Sequence, residues 1–374
     1  MFEIIKKTPY LRLLTFFVAF VWFIRFSGTV LPVYFLQSGL SFPQMAWGIT
    51  LSIIGQIAGI FILSRAHAHS RLIWRAAIVA YMCAFILYVV APVSIFYYFG
   101  TFISGIGSIF FYGAYNVHMF SLLPRDKTGT ASSHFFNVLV LIGIIAPIFS
   151  AIVAHWSMYM LLGLSFVCAA IAMYFVHIPQ TQPITFSVGT ALAEIRRVRV
   201  PIFLHGIHEA MSYIIPILTL SLLSNFFEFG AFGTVMALVG VVLSHYVGKI
   251  SDKLSSKKKL LTVFAWLLAA VTAMYAIPVV RTHIIFWTIV NIVNNFVDQL
   301  YDQTSLAFIM DETKSRVDAI FGRELVMNMG RTVGMLVAFL GFAVPVFLPY
   351  AIILLACAMA GFALFVSRMQ TQKS

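Results

Sequence analysis

Between residues 205 and 213 the chain places two imidazoles, a carboxylate and a phenol: His205, His208, Glu209 and Tyr213. His205 lies three residues before His208 and four before Glu209, spacings that bring side chains to adjacent positions on one face of a helix. A second polar set comprises Asn291, Asn294, Asn295, Asp298 and Asp302. Within it, Asn291, Asn295, Asp298 and Asp302 form a stripe at spacings of four, three and four. Where two such faces meet, three chemistries are open. Enclosed carboxylates and histidines, which titrate near neutrality, can exchange protons. Alternatively, His205, His208, Glu209, Asp298 and Asp302 can supply the imidazole and carboxylate ligands of a divalent transition metal. The third possibility is structural, with histidine–carboxylate pairs cross-linking two helices.

Hydrolytic chemistry fits less well. In the His-Glu-x-x-His pattern of zinc proteases the histidines are four apart and enclose the glutamate. Here they are three apart and the glutamate follows both. The sequence therefore predicts no enzyme, and an intramembrane hydrolase is the weakest alternative. No nucleotide-binding loop occurs either, so the expected transport is secondary and without a cofactor. Other polar residues lie in apolar runs: Arg25; Tyr112, Tyr115, Asn116 and His118; and Glu324 with Arg331 two turns further along the same side. Arg25 either binds an anionic group or pairs with a carboxylate. Tyr112, Tyr115 and Asn116 can share a face, too deep in their run for membrane-interface anchors. Arg331 is placed to neutralise Asp298 or Asp302. His67 and His69, two apart in a basic loop, are expected to be solvated.

The elements carrying these groups must cross a membrane. Of 374 residues, 61% are hydrophobic and 10% charged, against about 25% charged in soluble domains, and mean hydropathy is +0.98. A helix needs about 20 apolar residues to cross the hydrocarbon layer. Twelve spans are predicted: 11–37, 43–64, 72–91, 93–123, 131–154, 157–178, 201–224, 228–247, 259–280, 283–309, 319–345 and 348–368. Arg25 lies about 15 residues, roughly 22 Å, from the inner end of the first. The polar stretch 179–200 divides them into an N-terminal bundle, 1–178, and a C-terminal bundle, 201–374. The formal charge of +12 suggests nucleic acid only until its distribution is read. Of the 24 lysines and arginines, all but Arg25, Arg281 and Arg331 fall in alternate loops or at the termini. That positive-inside pattern places both termini in the cytoplasm of an inner-membrane protein and requires no nucleic-acid partner. Cys83, Cys168 and Cys357 sit inside apolar runs and are expected to pack there without disulfides.

Two loops carry a family resemblance. Gly248-Lys-Ile-Ser-Asp252-Lys253, followed by the basic cluster at 257–259, resembles the loop signature of the major facilitator superfamily, and Gly39-Leu-Ser-Phe-Pro-Gln44 is similar to the outer loop of its efflux-type members. The resemblance implies an all-α fold of twelve transmembrane helices in two pseudo-symmetric six-helix bundles, with a midplane substrate site and helices 1, 4, 7 and 10 around the cavity. It implies a gate in which Gly248 permits close approach and Asp252, beside Lys253, accepts hydrogen bonds from a helix beginning near Thr130. Glu324 and Arg331 belong to the same gating region.

The chain also departs from the family pattern. The equivalent first-half loop, Ser64 to Arg71, has serine in place of the aspartate, and Gly143-Ile-Ile-Ala146-Pro147 matches the antiporter signature only in part. The function implied is proton-coupled movement of a small organic solute by alternating access, in a monomer embedded in lipid. The acidic second half favours a cation or zwitterion. A divalent-metal transporter is the alternative, and a non-transporting membrane sensor a third class.

Overall fold

The computed structural model describes residues 8–90, 94–122, 128–251, 257–311, 313 and 315–369, with side chains except at 8, 10, 120, 128–140, 240–251, 257, 303, 306, 307, 310 and 311. The chain is almost wholly helical: α1 Thr8–Gly28, α2 Leu31–Gln37, α3 Phe42–Ala66, α4 Ser70–Val90, α5 Ser94–Leu122, α6 Thr128–Trp156, α7 Met158–Phe175, α8 Val188–Glu194, α9 Arg199–Glu209, α10 Met211–Thr219, α11 Phe226–Ser251, α12 Lys257–Met274, α13 Pro278–Thr282, α14 Ile284–Asp311, α15 Arg316–Ala343 and α16 Leu348–Arg368. Each predicted span coincides with one of these helices or a consecutive pair. Among the described residues, eight stretches are long and apolar enough to cross a membrane.

Local sequence sets the breaks. Pro32 has no N–H to donate to the Gly28 carbonyl, and the first span divides there into α1 and α2. α3 opens with Pro43 in its first turn, and Ser41 N donates to Gln44 Oε1 at 2.8 Å, closing a capping box. The seventh span is not continuous: it divides at Ala210 into α9 and α10, with Pro216 inside the second piece. The polar connection 179–200 also holds a helix that was not anticipated. Ser187 caps α8 by accepting from Thr190 N at 3.0 Å. That helix is tied to α15, since Thr190 Oγ1 donates to Asp318 Oδ1 at 2.9 Å and Ser315 N to Glu194 Oε1 at 3.1 Å.

One apolar cluster joins α1, α4, α5 and α7 and takes in Phe321 and Leu325 of α15, where Phe186 and Phe321 stack at 4.0 Å. A second unites α9, α12, α14, α15 and α16. A third, at the other end, brings α2 and α3 against α10 and the far part of α15. There Trp47 lies 5.7 Å from Phe339, and Phe42 lies 6.1 Å from Phe342. Close approach of α9 and α15 depends on Gly206 and Gly330, because a Cβ on either would strike the partner helix's backbone. Large apolar side chains such as Leu72, Val79, Phe99, Val167 and Tyr174 stay exposed, as expected where lipid is the solvent. Cys168 is half-buried, but Cys83 and Cys357 are exposed on this outer surface, contrary to the packing role expected of them.

Candidate functional site

α9 presents its polar residues to three different helices. The Glu209 carboxylate meets the Arg331 guanidinium of α15 in a two-pronged contact. Arg331 Nε donates to Oε2 at 2.9 Å and Nη2 donates to Oε1, the paired geometry that makes arginine–carboxylate bonds strong. Arg331 Nη1 also donates to Asn328 Oδ1 at 2.7 Å and lies 3.6 Å from Glu324 Oε2. Glu324 in turn accepts from Arg323 Nη1 at 2.6 Å. Two acids and two arginines thus form one nearly neutral chain along the first half of α15, with Glu209 reaching in from α9. The expectation that Arg331 neutralises Asp298 or Asp302 is corrected: its partners are Glu209 and Glu324. The small residues Gly206, Gly330 and Gly334 draw α9 against α15, so Glu209 reaches Arg331 first.

His208 turns to another neighbour, where its Nε2 lies 2.8 Å from Thr272 Oγ1 of α12. His205 is the α9 residue whose side chain comes within ion-pair distance of the α14 stripe among the described residues. Its Nε2 lies 3.8 Å from Asp302 Oδ1; the imidazole is 3% exposed and the carboxylate 43%. The His205 ring sits edge-on to Tyr301 at 4.8 Å and near Phe362. Elsewhere on α14, Asn291 is buried and donates to the Trp287 carbonyl at 2.8 Å, while Asn295 approaches Met236 Sδ at 3.9 Å. Asp298 stays half-buried. The five-residue metal set is therefore split. Among the described residues, no group of three or more His, Cys, Asp or Glu side chains is placed to hold a metal ion.

The first half contributes differently. Arg25 of α1 is exposed and makes no ion pair among the described residues, although its charge lies within reach of the half-buried Tyr112. Tyr213 of α10 also faces Tyr112 and meets Gln56 of α3. Asn116, one turn beyond Tyr112, is half-buried. Tyr115 instead stacks on Phe17 at 4.4 Å, and the His118 ring lies 5.4 Å from Trp74. Both are buried, so the polar residues of α5 divide between an open face and a packed one. Gly248 lies within α11, but its surroundings, together with Asp252 and Lys253, fall outside the described side chains.

Gln56, Tyr301 and Thr272 were not singled out by sequence. Gln56 and Thr272 lie in largely apolar runs, and only Tyr301, next to Asp302, carried a hint.

The comparisons agree with this architecture. The crystal structure of the E. coli fucose:proton symporter FucP superposes with a TM-score of 0.67 at 14% identity, covering 97% of this chain and 99% of that one. The crystal structure of the human organic anion transporter MFSD10 gives a TM-score of 0.70 at 10% identity, over 96% of this chain and 99% of that one. At such identities the likeness is one of fold. No curated protein sequence matches. The family profile described as Major Facilitator Superfamily matches residues 11–323, and this integral membrane chain belongs to that superfamily of secondary transporters.

Proposed function

We propose that this transporter moves a small organic solute by alternating access and couples the movement to protons through Asp302 and His205. The observation that carries the reading is the contact between these two groups. A half-open carboxylate lies 3.8 Å from an enclosed imidazole, on two different helices of the same bundle. A proton arriving at Asp302 removes its charge and frees α14 from α9, whereas a proton on His205 strengthens the contact. Occupancy by protons thus biases how the two helices pack, which is what coupling requires. Glu209 of α9 and Glu324 of α15 are already matched by arginines, whereas Asp302 lies beside an imidazole.

The solute lies between Arg25, Tyr112 and Asn116 on one side and Tyr213 on the other. With Glu209 and Glu324 compensated, Arg25 is the open charge of this group. That favours a solute bearing an anionic group over the cation or zwitterion suggested by the acid count. The proposed domain plan is an N-terminal bundle over 1–178, a linker over 179–200 and a C-terminal bundle over 201–374, with both termini cytoplasmic. The tie between α8 and α15 supports an α8 that moves with the C-terminal bundle, whereas residues 182–184 of the linker pair with Ala68 and Ser70 of the N-terminal bundle. Gating is assigned to Gly248, Asp252 and Lys253 and to the Glu324–Arg331 region.

Proteoliposomes loaded with a pH-sensitive dye test the coupling, using solutes first selected by thermal stabilisation of the wild type. Solute-driven proton movement is expected in the wild type. In Asp302→Asn it is lost while exchange of labelled solute persists. Undiminished proton movement in Asp302→Asn would overturn the assignment.

A further inference from the structure

The turn between α3 and α4 and the chain following α7 frame an open recess of about 300 Å³ that the transport reading leaves unused. Its lining is His69, Arg71, Leu72, Arg75 and Thr181. The two segments are bonded firmly together. Ser70 N donates to Gln182 O at 2.9 Å, Ile184 N to Ala68 O at 3.1 Å, and His69 and Pro183 form an antiparallel bridge. The His67 and His69 side chains are exposed, as expected from sequence, but the backbone that carries them is held in place by this pairing.

Arg71 and Arg75, one turn apart, point their charge into this recess. Arg75 Nη2 lies 2.9 Å from His177 Nε2. A guanidinium only donates, so in this contact the ring nitrogen is the acceptor. Arg71 Nη2 makes a long 3.4 Å bond to the His177 carbonyl. Neither arginine is in an ion pair among the described residues, and no carboxylate lines the recess. Two permanent positive charges thus converge without compensation, with most of their donors unspent.

The position of the mouth identifies the ligand. Leu72, on its rim, is 61% exposed and begins the outward stripe Leu72, Val79, Ile86 of α4, spaced seven apart and so every two turns. Val167, Ile171 and Tyr174 of α7 are exposed alongside. The recess therefore opens toward the lipid side, at the level where the spans end, and not toward the space between Arg25 and Tyr213. We infer that it binds the phosphate headgroup of an anionic phospholipid, with the arginines on the phosphate oxygens and the acyl chains along the α4 and α7 stripes. Free phosphate shares the headgroup chemistry but has no use for the apolar stripe.

Purified protein in neutral detergent, titrated with phosphatidylglycerol, phosphatidylcholine or inorganic phosphate and followed by thermal unfolding, tests this. Phosphatidylglycerol is expected to raise the melting temperature of the wild type and of Arg12→Gln/Arg65→Gln, which removes the same charge from the same end of the molecule. In Arg71→Gln/Arg75→Gln its apparent affinity falls roughly thirtyfold, the product of two arginines near a lipid surface. An equal phosphatidylglycerol response in that variant, or an equal loss in the control, overturns the site. A rise with inorganic phosphate that needs both arginines keeps the site but overturns the lipid as its source. Should Arg71→Gln/Arg75→Gln not fold, native mass spectrometry of the wild type decides the matter. Retention of phosphatidylglycerol no greater than of phosphatidylcholine then overturns the proposal.

Discussion

Replacing Glu209 by glutamine leaves the Arg331 guanidinium, 9% exposed in its side chain, without its two-pronged partner. Removing one member of a buried ion pair costs about 3–5 kcal/mol, because the remaining charge stays enclosed and uncompensated. Here the loss is smaller. Glu324 remains 3.6 Å from Arg331 and Asn328 still accepts at 2.7 Å, and the Glu209 side chain, at 25% exposure, is partly solvated. We therefore expect Glu209→Gln to destabilise by about 2–3 kcal/mol, lowering the melting temperature in detergent by roughly 2–4 °C. A double-mutant cycle with Arg331→Met isolates the pair: the double variant should be less destabilised than the sum of the single ones by about 1–3 kcal/mol. The coupling should persist at high salt, because an enclosed pair is poorly screened. Wild-type melting of Glu209→Gln together with zero coupling would refute the claim that this pair holds α9 to α15.

Two further substitutions probe separate parts of the argument. Gly330→Ala puts a methyl group against the Phe203 carbonyl and within 2.9 Å of Ile207 N, backbone atoms that cannot yield. It should cost about 1–3 kcal/mol, whereas Gly163→Ala, with nothing within 4 Å of its added Cβ, should be neutral or slightly stabilising in thermal melts. Equal effects at the two glycines would remove close packing as the reason for Gly330. Arg25→Gln should leave the melting temperature nearly unchanged, since the side chain is exposed and makes no ion pair among the described residues. It should nevertheless abolish stabilisation by anionic solutes that bind the wild type. Retained binding would take Arg25 out of the solute site.

The limits of legibility are clearest on α9. Span positions were readable because the signal is length of apolar sequence, a property each segment carries alone. The pairing of its polar residues was not, although their spacing was visible. At 3.6 residues per turn each residue advances about 100° around the helix. His208 therefore lies roughly 60° to one side of His205 and Glu209 roughly 40° to the other. Adjacent in sequence, the two diverge enough to meet α12 and α15 respectively, with His205 toward α14. Treating all three as one face was the step that produced the metal set. The cue that could have separated them is the pair Gly330 and Gly334, small residues four apart on the helix that carries Arg331. Gly206 against Gly330 and Ala210 against Gly334 set a parallel register between α9 and α15. That register brings Glu209 within one turn of Arg331, and an enclosed arginine takes the carboxylate its own helix packing delivers. Asp298 and Asp302 lie on a helix that α15 barely touches, and neither forms an ion pair with Arg331 among the described residues. The backbone contact places this pair, and it leaves Asp302 outside the arginine chain and beside His205, the contact on which the proposed coupling rests.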